Sequence, residues 1–206
     1  MTLLDNIFSA ITHGIGFAAA IVGTVFLILK GINSGSNLKL TAYIIYGICL
    51  SLLYLFSTLF HSLIYTRAKR VFQIFDHSSI FLLIAGSYTP YSLIAIGGKK
   101  GWIIFGIVWA VAIFGILFYI LQKKPHKVIE LSMYIILGWM IVFSGPDLYQ
   151  ILGPLGFWTL VACGISYTVG ALIYVLSIIP MNHSIWHCFV LLGSVLMYIS
   201  VITSVN

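Results

Sequence analysis

Five of the polar side chains within or at the ends of apolar segments matter most for chemistry: Ser57, His61, Asp76, His183 and His187. Such side chains are costly inside a membrane and are therefore candidates for function. His183 and His187 are four residues apart, which places them on one face of a helix, one turn above the other. Histidine pairs at this spacing commonly bind zinc, and three histidines are the usual protein ligands of a catalytic zinc ion. With His61 as the third candidate ligand, the sequence predicts a metal site.

Four further side chains near this site have predicted roles. A carboxylate can accept a proton from water activated by zinc and return it later, and Asp76 is the candidate for this role. Ser57 can hydrogen-bond that water or a tetrahedral intermediate, or else the carbonyl four residues back in its own helix. His13 is expected to support the ligands without binding the metal itself. His77 points about 100° away from Asp76 around the helix, which favours a structural role.

The composition shows what surrounds these polar groups. Of the 206 residues, 61% are hydrophobic and 7% are charged, whereas a soluble domain has about 25% charged residues. So few charges exclude a soluble enzyme, a disordered tail and a collagen-like fibre. The apolar runs are continuous, which disfavours a transmembrane barrel. Lys and Arg outnumber Asp and Glu by ten to four but lie in short loops, so they favour contact with lipid headgroups over nucleic acid.

Seven apolar segments are candidates to cross a hydrocarbon core of roughly 30 Å. Their approximate bounds are 8–29, 40–63, 72–96, 102–121, 129–146, 155–178 and 184–205. They predict an all-α membrane protein in which residues 1–206 form one seven-helix transmembrane bundle. The loops on the N-terminal side carry six of the ten Lys and Arg residues. This bias places the N-terminus in the cytoplasm and, with seven spans, the C-terminus outside the cell membrane.

The order of the spans brings the polar residues to one face of the membrane. The second span ends on the N-terminal side, and the third and seventh spans begin there. The residues at these three ends are therefore expected at a similar depth in the membrane. If the number of spans between them were wrong by one, these residues would lie on opposite faces. Asp76 is the only acidic side chain that this topology places beside the three histidines.

At these residues the sequence resembles the hemolysin III family, the bacterial branch of the progestin and adipoQ receptors, and more distantly the alkaline ceramidases. The resemblance covers essentially the whole chain and rests on Ile11-Thr12-His13-Gly14, Ser57-x-x-x-His61, Phe75-Asp76-His77-Ser78-Ser79, Gly86-Ser87-Tyr88-Thr89-Pro90 and His183-x-x-x-His187. It implies seven helices, a cytoplasmic N-terminus and one zinc ion with His61, His183 and His187 as ligands. It also implies that Asp76 contacts the zinc-bound water and that Ser57 is its neighbour.

The N-terminal stretch departs from the family pattern. Acidic residues often precede an Asn-x-x-Thr-His stretch in this family. Here Asp5 is the single acid, and the spacing from Asn6 to Thr12 and His13 is shifted.

Four functions are compatible with these features. The first is a zinc-dependent hydrolase of a lipid acyl amide or ester that serves membrane lipid homeostasis, with membrane lipids as its partners. The second is a receptor or sensor of membrane state that holds a structural zinc ion. The third is a lytic pore former, for which the sequence offers no detachable amphipathic segment. The fourth is a proton or ion transporter, which the clustering of the polar groups at one face disfavours.

Overall fold

The computed structural model of the protein describes residues 2–122, 126–141, 147–176 and 178–205. Within these residues the chain forms seven α-helices and one π-helical segment, and no β-strand. The elements are α1 (Leu3–Asn33), α2 (Asn37–Ser62), α3 (Lys69–Pro90), the π-helical segment (Tyr91–Ile96), α4 (Gly98–Leu121), α5 (Lys127–Trp139), α6 (Asp147–Val175) and α7 (Asn182–Ser204).

Six of these helices are long and apolar enough to cross a membrane, all except α5. Helix α5 has 13 residues, fewer than the roughly 17–25 that a span requires. The predicted fifth span, 129–146, also includes residues 142–146, which lie outside the described residues. The prediction of an all-helical bundle with several spans is therefore confirmed. The seventh span and the orientation of the two termini stay predictions.

Two helices break where the sequence contains proline. The α-helical pattern of α3 changes to the π-helical segment directly after Pro90. Proline has no N–H to donate to the carbonyl four residues back, so the regular pattern cannot continue through it. In α6 the break lies at Gly153, whose φ of 65° is left-handed, just before Pro154. Its second part matches the predicted start of the sixth span near residue 155.

The helix pairs in closest contact explain how the polar residues meet. Helix α2 packs between α1 and α3, helix α7 packs on α6 and α1, and α4 packs on α3. These neighbours bring the beginnings of α1, α3 and α7 to the end of α2. The side chains at the core between the helices include the fully buried aromatic residues Tyr43, Tyr46, Tyr54, Phe81 and Tyr91.

Gly86 allows α3 to approach α2 closely. A Cβ atom at this position would lie 2.5 Å from Cβ of Cys49, far inside van der Waals contact. We expect Gly86→Leu to destabilise the fold by about 1–3 kcal/mol because the two helices must separate. For a chain of this size, that loss lowers Tm by roughly 2–12 °C.

The measurement is thermal unfolding in detergent, followed by circular dichroism. Gly106→Leu is the matched control, because a Cβ atom there meets nothing within 4 Å beyond the backbone of its own helix. An equal Tm for the two variants would contradict the close packing at Gly86.

Candidate metal centre

Three buried histidines from two helices converge at one end of the bundle. His61 lies in the last turn of α2, while His183 and His187 lie in the first two turns of α7. The Nε2 atom of His183 is 3.2 Å from Nε2 of His61 and 3.0 Å from Nε2 of His187. One nitrogen from each ring lies within 4.8 Å of the others. Residues 122 positions apart in the chain thus form the group predicted from the sequence.

The spacing of these nitrogens fits a bound metal ion. Zinc binds histidine nitrogen at about 2.0–2.1 Å, and a tetrahedral arrangement then separates two such nitrogens by roughly 3.3–3.4 Å. The distances of 3.0 and 3.2 Å are close to this value. Among the residues that the structure describes, this is the one group of three or more His, Cys, Asp or Glu side chains with metal-binding geometry. Three imidazole nitrogens suit zinc and other transition metals better than magnesium or calcium.

Asn6 contacts His61 of this group, and sequence reasoning missed this contact. The Nδ2 group of Asn6 donates a hydrogen bond to the carbonyl of Thr2 at 2.9 Å. Oδ1 of the same amide therefore faces His61 Nδ1, 3.1 Å away, and accepts its hydrogen. A histidine that carries hydrogen on Nδ1 keeps a lone pair on Nε2, the atom that points to the other two rings. The feature of the sequence that could have indicated this contact is the polar amide of Asn6 in the first turn of an apolar helix.

His13 packs on the ring of a candidate ligand. Its ring is stacked on His187, with centroids 3.7 Å apart, and meets Tyr54 edge-on at 5.0 Å. His13 is only 3% exposed. The structure places His13 where the sequence predicts a supporting residue, and the support itself stays a prediction.

Ser57 and Asp76 line a small cavity beside the histidines. The cavity has a volume of about 40 Å³, and His13, His183 and His187 also contribute to its wall. Ser57 and Asp76 thus lie on the wall of one cavity, although they come from different helices, α2 and α3. A water molecule needs about 10–15 Å³ of such space, so the cavity can hold water between the acid and the imidazoles. The structure therefore brings all the predicted residues together, and the catalytic roles of Ser57 and Asp76 stay predictions.

Glu130 lines the same cavity, so the expectation that Asp76 is the only acid beside the histidines is wrong. The Glu130 carboxylate accepts hydrogen bonds from His77 Nδ1 at 3.2 Å, Gln122 Nε2 at 2.7 Å and the backbone N–H of His126 at 3.2 Å. These bonds join α5 to α3 and to the end of α4. They agree with a structural role for His77. Sequence reasoning missed Glu130 because only the packing of α5 brings it to this cavity.

A larger apolar cavity adjoins the small one. Its volume is about 560 Å³, within the range of roughly 300–1,000 Å³ of sites that bind small molecules. The two cavities share the lining residues Leu53, Ile80, Tyr134, Trp186 and Val190. An apolar chain in the large cavity would therefore reach the polar groups of the small one.

Comparison with known proteins now identifies the family. Residues 1–198 match the family model described as "Haemolysin-III related". The chain belongs to the haemolysin-III-related family. This membership confirms the resemblance seen in the sequence motifs. Together with the six apolar helices it identifies a multi-pass membrane protein.

Named relatives of this haemolysin-III-related chain occur in bacteria and in mammals. "Hemolysin-3" of Bacillus cereus is 42% identical over 96% of this chain and 90% of the relative. "Hemolysin-3 homolog" of Bacillus subtilis (strain 168) is 40% identical over 98% of this chain and 94% of the relative. "Monocyte to macrophage differentiation factor" of Homo sapiens is 27% identical over 97% of this chain and 84% of the relative.

Proposed function

We propose that the protein is a zinc-dependent hydrolase of a lipid acyl amide or ester in the plasma membrane, with a role in membrane lipid homeostasis. The observation that carries this proposal is the cavity in which His183 and His187 face Ser57 and Asp76. A metal-ligand group, a carboxylate outside that group and space for water are three parts of a hydrolytic site.

The histidine group has the composition of a catalytic site. Structural zinc sites usually have four protein ligands, whereas catalytic sites have three and an open position. Within the described residues, the metal-ligand group consists of His61, His183 and His187. This supports the hydrolase over a receptor or sensor with a structural zinc ion.

The roles of the side chains follow from their chemistry. Zinc bound at this site would act as a Lewis acid on a substrate carbonyl and make water more acidic. Asp76 accepts the proton of the attacking water as the carbon–oxygen bond forms, and then donates it to the leaving amine or alcohol as the acyl bond breaks. Ser57 lines the same cavity and can donate to the attacking water or to the developing charge on the carbonyl oxygen. Burial of the histidines keeps other solvent away from these groups.

The large cavity supports a lipid as the substrate. Its walls are almost entirely apolar and include Leu53, Ile80 and Val190, which also line the small cavity. An acyl chain in the large cavity would place its carbonyl at the boundary between the two. A small polar amide would gain little binding free energy from this apolar wall, because that energy comes from the burial of apolar surface.

Lipid turnover by the purified protein tests the proposal. We expect the protein in detergent–lipid micelles to release fatty acid from a ceramide-type amide or from a phospholipid ester. Chelation of the metal should abolish the release, and about one equivalent of zinc per chain should restore it.

Two other results would count against the hydrolase. A metal-loaded protein that releases fatty acid from neither substrate would contradict it. Leakage of dye from protein-free vesicles, without fatty acid release, would favour the lytic function that the names of the Bacillus relatives suggest.

A further inference from the structure

The first turn of α1 touches both helices that carry the histidine group. Asn6 contacts His61 at the end of α2, and Asp5 contacts Ser184 at the start of α7. We propose that Asp5 and Asn6 are positioning residues, which hold α2 and α7 in the geometry that binds metal. This inference rests on the metal site of the proposed function and is independent of whether the site hydrolyses lipid.

Both polar atoms of the Asn6 side chain form hydrogen bonds. Its amide donates to the Thr2 carbonyl at 2.9 Å, and its oxygen accepts from His61 Nδ1 at 3.1 Å. Asn6 is 4% exposed and His61 is 2% exposed, so water does not replace either bond easily. The amide thus selects the form of His61 whose Nε2 is free to bind metal.

Both oxygens of the Asp5 carboxylate also accept hydrogen bonds. Oδ2 accepts from the backbone N–H and the hydroxyl of Thr2, each at 3.0 Å, and these bonds cap the helix. Oδ1 accepts from the Ser184 hydroxyl at 3.0 Å. Ser184 follows His183 directly in α7 and is 1% exposed. The hydrogen bond to Ser184 therefore fixes the position of the first turn of α7, which contains the candidate ligand His183.

The two contacts complement each other because neighbouring residues reach different helices. Helix α1 contributes none of the three candidate ligands, yet its first turn bridges the two helices that do. Loss of the acceptor at Asn6 would leave the His61 ring free to rotate or to carry its hydrogen on Nε2. Residues that support ligands in this way typically change metal affinity by about 10–100-fold when they are replaced.

The test is the affinity of the purified protein for Zn²⁺, measured by competition with a chromogenic chelator, and the visible spectrum of the Co²⁺-loaded protein. We expect Asn6→Leu to lower the Zn²⁺ affinity about 10–100-fold and to change the Co²⁺ spectrum. Asn6→Asp keeps an acceptor for His61 Nδ1 but loses the donor to the Thr2 carbonyl, so it is expected to lose clearly less affinity than Asn6→Leu. Asn33→Leu, at the exposed far end of α1, is the matched control.

A double-mutant cycle tests the Asp5 contact. We expect Asp5→Ala and Ser184→Ala each to weaken Zn²⁺ binding, and the double variant to be no weaker than the worse single variant. Additive losses would overturn the proposed link between these side chains.

The outcomes separate this inference from the proposed function. Wild-type affinity and an unchanged Co²⁺ spectrum in Asn6→Leu would overturn the positioning role while the metal site stands. An equal loss in Asn6→Leu and Asn6→Asp would also overturn it, since the loss would then not depend on an acceptor for His61 Nδ1. A wild-type protein that binds no metal would overturn the site and the positioning role together. A protein that binds metal but hydrolyses no lipid would overturn the hydrolase only.

Discussion

Replacement of His187 by alanine is expected to lower the bound zinc from about one ion per chain to below about 0.1. His187 offers one of three converging ring nitrogens, and its Nε2 lies 3.0 Å from that of His183. Two histidines alone bind a metal ion far more weakly than three, because each ligand contributes separately to the affinity. The measurement is elemental analysis of the protein after purification without chelators.

His126→Ala is the control for this experiment. His126 is exposed, precedes α5 and lies outside the histidine group. This variant should keep about one ion per chain, so that any loss in His187→Ala reports on the site and not on histidine content. Equal metal content in the two variants would exclude His187 as a ligand. Thermal unfolding of the metal-free proteins separates loss of metal from loss of fold.

Replacement of Asp76 by asparagine is expected to lower the rate of lipid hydrolysis about 10²–10⁴-fold, the usual contribution of a general base. The amide has nearly the shape of the carboxylate but cannot accept a proton from water. Asp76 stands outside the three-histidine group, so the variant should keep its zinc. The measurement combines fatty acid release with metal content in the same preparation.

Glu130→Gln is the matched control, because Glu130 is the other acid in the cavity wall. Its carboxylate oxygens already accept bonds from His77, Gln122 and the His126 backbone. We therefore expect a much smaller loss of rate than for Asp76→Asn. Full activity in Asp76→Asn would exclude Asp76 as the base. Loss of zinc in that variant would show instead that Asp76 binds the metal.

The class of the protein and the residues of the site were readable from the sequence. Continuous apolar runs with few charges specify membrane helices, because backbone groups in lipid must bond within their own segment. The four-residue spacing from His183 to His187 places both on one helix face, whatever the rest of the fold does. Counting the spans then placed His61 and Asp76 at the same end of the bundle. These inferences depend on local periodicity and on the direction of each helix.

The contacts that complete the site depended on tertiary structure. Helix α1 packs one particular face on α2 and α7. Because of this packing, Asn6 contacts His61 and Asp5 contacts Ser184. The placement of α5 decides that Glu130 shares the cavity of Asp76. Such contacts join residues as far as 179 positions apart in the chain. No local pattern encodes them, since they follow from how side chains fill the space between helices.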